Sequence, residues 1–130
     1  MAVTHSTAAR NAATDAVTAL ISTSGKLAFR ISPSTVAAPG TVVATLSLSA
    51  TAFAASSSGT ATANAITSDT NATGNASPVA FATLQTSAGT VVIHCAVAAS
   101  GSDINMTNGL TVAAGDTVSC SSLTYTALSA

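Results

Sequence analysis

The stretch that most restricts the fold is a pair of β-runs within residues 78–98, joined by the three-residue loop 87–89. The second run alternates with a period of two, as a strand does. One of its faces carries Val91, Ile93, Cys95 and Val97, and the other carries Val92, His94, Ala96 and Ala98. Gly89 can supply the positive φ of a tight turn. The stretch therefore predicts an antiparallel hairpin with one face toward a core.

Two earlier runs alternate in the same way. Lys26–Ile31 places Leu27, Phe29 and Ile31 inward and Lys26, Ala28 and Arg30 outward. In residues 41–49 the predicted core face is Val42, Ala44, Leu46 and Leu48. Weaker strand patterns cover residues 60–66, 103–106, 117–121 and 123–128. About eight short strands separated by turn signals predict an all-β fold, an antiparallel β-sandwich of the jelly-roll kind.

One α-helix is predicted before the strands, over residues 6–21, because this segment is rich in alanine and contains no glycine or proline. Thr4 or Ser6 can cap its first turn, and Gly25 follows its end. Its predicted apolar stripe is Ala9, Ala13, Ala16, Val17, Leu20 and Ile21. The helix either covers the sandwich or forms an arm that contacts neighbouring subunits. We expect one domain, with a helix or arm at 1–24 and the sandwich at 25–130.

Charge is scarce: only 5% of the residues are charged, and the net charge is -1. A weakly charged surface favours association, so we expect a subunit of an assembly. Three basic residues provide no footprint for nucleic acid. No run is long enough for a membrane helix, and the N-terminus lacks a signal-peptide pattern, so cytosolic synthesis is expected. Cys95 and Cys120 are predicted to be reduced, buried thiols.

Catalytic patterns do not emerge, so the sequence predicts a protein that is not an enzyme and has no cofactor, no small-molecule substrate and no catalytic or metal-binding residue. The only imidazoles are His5 and His94, and His94 is expected to be structural or to lie in an interface. Loop residues with calcium-type oxygens do not follow the spacing of a calcium loop, and backbone hydrogen bonding is their expected role. These residues are Asp69, Asn71, Asp103, Asn105 and Asp116.

Four segments together resemble small structural proteins of tailed-bacteriophage virions. They read STAARNAATDAVTALI, GTATANAITSDTNATG, GTVV and AGDTVSCSSLTYTA, and the chain departs from the expected pattern at residues 32–39. The resemblance implies a virion protein made in the host cytoplasm, and it transfers no catalytic residue. Its implied role is capsid decoration or cement, on the outer surface of the head, as a homo-oligomer that is either a trimer or a dimer.

The partner expected from this role is the major capsid protein, or tail proteins if the subunit belongs to the tail tube, fibre or baseplate. The predicted interface residues are Ala9, Arg10, Ala13, Asp69, Asn71 and Asn75. A carbohydrate-binding or adhesin module is a further alternative. It is disfavoured because exposed aromatic platforms are not expected: Phe29, Phe53, Phe81 and Tyr125 are all predicted to point inward.

Overall fold

A computed structural model describes residues 3–21 and 23–128. Helix α1 spans Thr7–Ile21. The strands of this part of the chain are β1 Lys26–Ile31, β2 Val42–Leu48, β3 Thr60–Thr62, β4 Ile66–Thr67, β5 Val79–Gln85, β6 Val91–Ala98, β7 Ile104–Asn105 and β8 Thr124–Thr126. The predicted helix and the four long strands β1, β2, β5 and β6 are therefore confirmed.

A six-stranded sheet with the order β4-β2-β1-β5-β6-β7 forms the frame of the molecule. It curls into a half-barrel, and its long strands pair antiparallel, whereas β6 and β7 are parallel. The two-stranded sheet β3–β8 lies beside it. The fold is thus mostly β with one helix. The predicted antiparallel sandwich or jelly roll is not confirmed, because residues 106–123 run mainly as turns and single bridges instead of strands.

The predicted hairpin is formed by β5 and β6. Leu84 faces Ile93 and Phe81 faces Ala96, and the register shifts between Leu84 and Gln85. The loop closes through a 2.9 Å hydrogen bond from the Gly89 amide to the Thr86 carbonyl, with Gly89 at φ 98°. Glycine adopts this left-handed conformation without the strain that a Cβ would cause.

The core lies between the inner face of the sheet and segments that cross it. Leu27, Leu46 and Leu84 contribute from β1, β2 and β5. Phe53 and Val118 contribute from outside the large sheet and are also buried. Burial of such side chains is worth about 1.5 to 3 kcal/mol each, so the sheet depends on these crossing segments to exclude water from its inner face.

The outer face of β1 is also covered, which corrects the prediction that Ala28 and Arg30 face solvent. Ala28 is 0% exposed and Arg30 is 8% exposed. Residues 32–41 fold back over this face, after the cis Ser32-Pro33 peptide bond, and the Ile31 amide donates to the Thr41 carbonyl at 3.2 Å. Alternation predicts which residues share a face, but it cannot reveal that a loop covers the second face.

Phe81 was predicted to point inward, but it is half-buried on the outer face, where it faces Arg30 in the β1–β5 register. Ile31, also predicted to point inward, is half-buried. The register shifts between Arg30 and Ile31, so the simple two-residue period does not extend to the end of β1.

The buried side of α1 is partly polar, and of its predicted apolar stripe only Ile21 is fully buried. Ser6 caps the helix, since the Ala9 amide donates to its Oγ at 3.1 Å. However, the buried residues are Thr14, Thr18 and Ile21, whereas Leu20 is 62% exposed. Thr14 Oγ1 donates to the Gly59 carbonyl at 2.6 Å, so the surface under the helix consists partly of backbone polar groups. A threonine can satisfy those groups, and an alanine cannot.

The buried Leu27 of β1 and the exposed Leu20 of α1 form a matched pair for testing the burial described here. Leu27→Ala should lower the free energy of unfolding by about 2 to 5 kcal/mol, because it leaves a cavity at a fully buried position. Leu20→Ala should change it by less than about 0.5 kcal/mol. Denaturant unfolding of the two variants checks this, and equal losses would contradict the burial described for α1.

Candidate functional site

The four carboxylates of the chain each accept a hydrogen bond from a backbone amide. Asp15 accepts from Ser56 at 2.9 Å, Asp69 from Thr45 at 2.9 Å, Asp103 from Ala96 at 3.0 Å and Asp116 from Ala113 at 2.9 Å. Among the described residues, no group of three histidine, cysteine or acidic side chains could hold a metal ion. The carboxylates therefore serve as backbone anchors at four separate places.

The predicted interface residues of the helix have different environments. Ala9 is exposed and Ala13 is half-buried. The Arg10 guanidinium turns toward the loop before β3, where Nη1 donates to the Ser58 carbonyl at 3.2 Å, and Nη2 donates to Thr7 Oγ1 at 3.4 Å. Arg10 therefore holds α1 on the β3–β8 side of the molecule.

The predicted interface residues of the loop are tied to their own chain. Asp69 accepts from the amides of Thr45 and Asn71, and Asn75 Oδ1 accepts from the Ser77 amide at 2.9 Å. The Asn71 side chain is exposed. The loop packs along β2 and residues 110–118, whereas α1 packs against β3, β6 and β8, so the two predicted groups have different packing partners.

The exposed side of α1, called here the outer helix face, carries no charged side chain. Besides Thr7, it consists of Ala8, Ala9, Ala12, Ala16, Ala19 and Leu20. The only charged residues of the helix, Arg10 and Asp15, are half-buried and hydrogen-bonded to residues 56–58. A surface helix normally buries its apolar side. Here Ile21 is buried, but five alanines and Leu20 are exposed together, and an exposed apolar patch can be a contact surface for another molecule.

A polar network lies on the outer face of the sheet, around Arg30. Its Nε donates to Thr83 Oγ1 at 3.0 Å, its Nη1 to the Gly40 carbonyl at 2.7 Å and its Nη2 to Gln85 Oε1 at 3.0 Å. Burial lowers the pKa of the Arg30 guanidinium. These three acceptors are neutral, so Arg30 ties the loop 32–41 to β5 by hydrogen bonds.

Ser34 and His94 meet beside this network, with 2.9 Å between Ser34 Oγ and His94 Nε2. A serine next to an imidazole is the first requirement of a hydrolytic nucleophile. Ser34, however, is buried, and its Oγ also accepts the Gly40 amide at 3.0 Å. The His94 ring packs on Phe81 with 5.0 Å between ring centroids. The pair therefore holds the loop against the sheet, as a structural histidine would.

Both cysteines are free thiols and half-buried. Burial, with the nearby charge of Asp103, raises the pKa of Cys95 to about 11. Burial also raises the pKa of Cys120, whose Sγ donates to the Ser122 carbonyl at 3.3 Å. Neither thiol is in the electropositive surroundings that activate a cysteine nucleophile.

A groove of about 630 Å³ lies between residues 103–109 and residues 117–124, with Phe29 among its lining residues. We call it the C-terminal groove. Its lining is rich in hydroxyl and amide side chains, and two carboxylates, Asp103 and Asp116, lie along it. The outer helix face and this groove are the two features that sequence patterns did not locate. Their positions are set by tertiary packing, which decides which side of each segment stays exposed.

Comparison with protein-family models, with curated proteins and with solved structures finds no match. Within the described residues, no helix has both the length and the apolar character needed to cross a membrane. The functional conclusions below therefore depend on the geometry of this chain.

The role of Arg30 can be tested against Lys26, which lies on the same face of β1 and donates a long hydrogen bond of 3.4 Å from Nζ to Ser47 Oγ. Arg30→Met should lower the free energy of unfolding by about 1 to 3 kcal/mol, because buried acceptors lose their donors. Lys26→Met should cost less than about 0.5 kcal/mol. Denaturant titrations measure both, and faster hydrogen exchange at the Ile31 amide should accompany only the Arg30 variant.

The thiols should respond to pH in a defined direction. Because the pKa of folded Cys95 is raised to about 11 from 9.0, the unfolded thiol ionises first. The free energy of unfolding should therefore decline as pH rises from about 9 toward 11, and below 9 this contribution is constant. Alkylation of Cys95 by iodoacetamide, followed by mass spectrometry, should be slow at pH 7 and increase up to that range. Rapid labelling of the folded protein at pH 7 would show that the thiol is not shielded.

Proposed function

We propose that the protein is a structural subunit of a bacteriophage virion, a decoration or cement protein that binds the outer surface of the head. The outer helix face carries this proposal, because the helix turns Thr14 and Thr18 inward and exposes alanines and a leucine. An apolar, uncharged surface of this kind suits a lasting contact with a neighbouring protein.

The mechanism we infer is thermodynamic linkage. A subunit that binds the assembled shell, and not its separated parts, stabilises the shell by mass action. Such a subunit needs no catalytic group, only complementary contacts at points where capsid proteins meet. The engagement of all four carboxylates by its own backbone is consistent with this role, since approach of a neighbour then leaves those carboxylates paired.

Self-association is part of the proposal, as a trimer or a dimer. A helix of 15 residues is about 22 Å long, so one helix face offers only a few hundred Å². A stable interface usually buries at least about 1,200 Å² in total. We therefore infer that the outer helix face is one part of a larger contact, shared between capsid protein and neighbouring copies.

We also propose that the chain forms a two-layered β-sandwich. Residues 52–62 and 110–126 would serve as the second layer, because Phe53, Ala61, Val112 and Val118 join the core from these segments. A decoration subunit gains from such a layer because the inner face of its sheet stays dry while other surfaces meet the shell.

Binding to isolated heads tests the outer helix face. Ala16→Glu introduces a carboxylate at its middle and should weaken binding to heads that lack the protein by at least about ten-fold, because a buried unpaired charge is costly. Glutamate favours helix, so folding should be preserved. Ser87→Glu, in the exposed hairpin loop, is the control for added charge. Co-sedimentation with heads measures both, and equal binding by both variants would rule out this face.

Localisation on whole virions tests the assigned role. We expect hundreds of copies per particle, with antibody labelling on the head in electron micrographs. Labelling along the tail would replace the decoration role by a tail-tube, fibre or baseplate role. Absence from purified particles, combined with binding on a glycan array, would support an adhesin module and overturn the virion proposal.

A further inference from the structure

One wall of the C-terminal groove is the outer edge of β7. The Met106 amide donates to the Ala98 carbonyl of β6 at 2.9 Å, and Asn105 is the residue in register with Ala98. In a parallel pair with this pattern, the backbone groups of Asn105 point away from β6. Asn105 lines the groove, so β7 presents an unpaired strand edge there.

Residues 117–119 also line the groove, and Val118 there forms an isolated bridge with Asp69. Val118 and Asp69 exchange amide-to-carbonyl hydrogen bonds of 2.8 and 2.9 Å. Because successive residues of an extended backbone direct these groups to opposite sides, those of Thr117 and Ser119 point away from Asp69. Both residues line the groove. Among the described residues, no backbone hydrogen bond uses the Ser119 amide.

The lining also includes half-buried apolar side chains, namely Ile104, Met106, Cys120 and Leu123, beside the buried Phe29. Two strand edges over apolar side chains are the elements of β-augmentation, in which an added strand gains backbone hydrogen bonds and side-chain contacts. The volume of about 630 Å³ lies within the range of about 300 to 1,000 Å³ of binding clefts.

The charge of the groove indicates what kind of strand fits. Asp103 and Asp116 line it, and its lining includes no lysine, arginine or histidine. A second copy of the chain would have to place a cation beside these carboxylates. Its Arg10 and Arg30 bind backbone carbonyls of their own chain, and its Lys26 lies within β1. Charge complementarity therefore favours a different protein as the occupant.

We propose that the C-terminal groove binds an extended segment of another protein, one that carries lysine or arginine next to alternating apolar residues, and adds it as a strand between β7 and residues 117–121. Its backbone would pair with Asn105 on one side and with Thr117 and Ser119 on the other, while its cations face the two carboxylates. The groove can do this whether or not the outer helix face meets a capsid, so failure of either assignment leaves the other standing.

Three labelled peptides that differ only in charge test the groove on the full chain. They are acetyl-VKVTVKV-amide, acetyl-VSVTVSV-amide and acetyl-VDVTVDV-amide, and fluorescence anisotropy gives their dissociation constants. We expect the lysine peptide to bind at least about ten-fold more tightly than the aspartate peptide, and the difference to shrink as salt is added. Equal binding of all three, or no binding at millimolar concentration, would overturn the proposal.

Two variants locate the site. Ser119→Pro removes the groove-facing amide, so it should weaken the lysine peptide at least about five-fold, whereas Ser119→Ala keeps the amide and should bind as wild type. Asp103→Asn with Asp116→Asn keeps an acceptor oxygen for each backbone amide and removes both charges. This double variant should lose most of the preference for lysine over aspartate. Thermal unfolding confirms that each variant is folded.

Further outcomes are decisive in the same experiments. If Ser119→Pro is folded and binds the lysine peptide normally, the strand does not add at residues 117–121 and the proposal is wrong. If Ser119→Pro unfolds, proton–nitrogen spectra of the wild-type chain decide instead, because shifts must cluster at Asn105 and Ser119 when the lysine peptide is added. Concentration-dependent dimers that the peptide dissociates would identify a second copy as the occupant and would also overturn the assignment to another protein.

Discussion

The pairing of β1 with β2 on one side and β5 on the other is the interaction on which the rest of the structure depends. It places Leu27 between Leu46 and Leu84, and it also brings Arg30 and Lys26 onto the opposite face. Other segments cover these two faces. The crossing segments with Phe53 and Val118 cover the first, and the loop 32–41 covers the outer face of β1.

Large apolar side chains are few in this chain, and polar side chains take over part of their structural role. Asp15, Thr14 and Asn11 fasten α1 to residues 56–59 through side-chain-to-backbone hydrogen bonds of 2.6 to 2.9 Å. Arg30 does the same for the loop over the sheet. A hydrogen bond of this kind is worth about 1 kcal/mol, comparable to burying one or two methylene groups. Hydroxyl and carboxylate groups can thus replace missing apolar volume wherever the opposing surface is backbone.

This replacement explains which parts of the fold could be predicted. Strands with large side chains at alternate positions, such as Lys26–Ile31 and the hairpin, were located from the sequence because the two-residue period marks a strand even where both of its faces are covered. The helix was located too, but its inward side only in part: Ile21 is buried as predicted, whereas Leu20 is exposed and Thr14 is buried instead. The number of strands in the second layer was overestimated. Residues 106–123 contain small polar side chains, and they form turns and an isolated bridge instead of paired strands. Of the predicted interface residues, Arg10, Asp69 and Asn75 bond within their own chain, and sequence alone does not reveal such partners.

Some strand edges of this protein are closed by a carboxylate, whereas others are open. Asp69 accepts the outward amide of Thr45 at the β2 edge, and Asp103 accepts that of Ala96 at the β6 edge. A carboxylate in this position blocks strand addition, because an incoming strand would have to displace it. The edges at Asn105 and Ser119 have no such cap, and both line one groove. If a strand adds to this protein as proposed, closing some edges while leaving one groove open would confine the added strand to that groove.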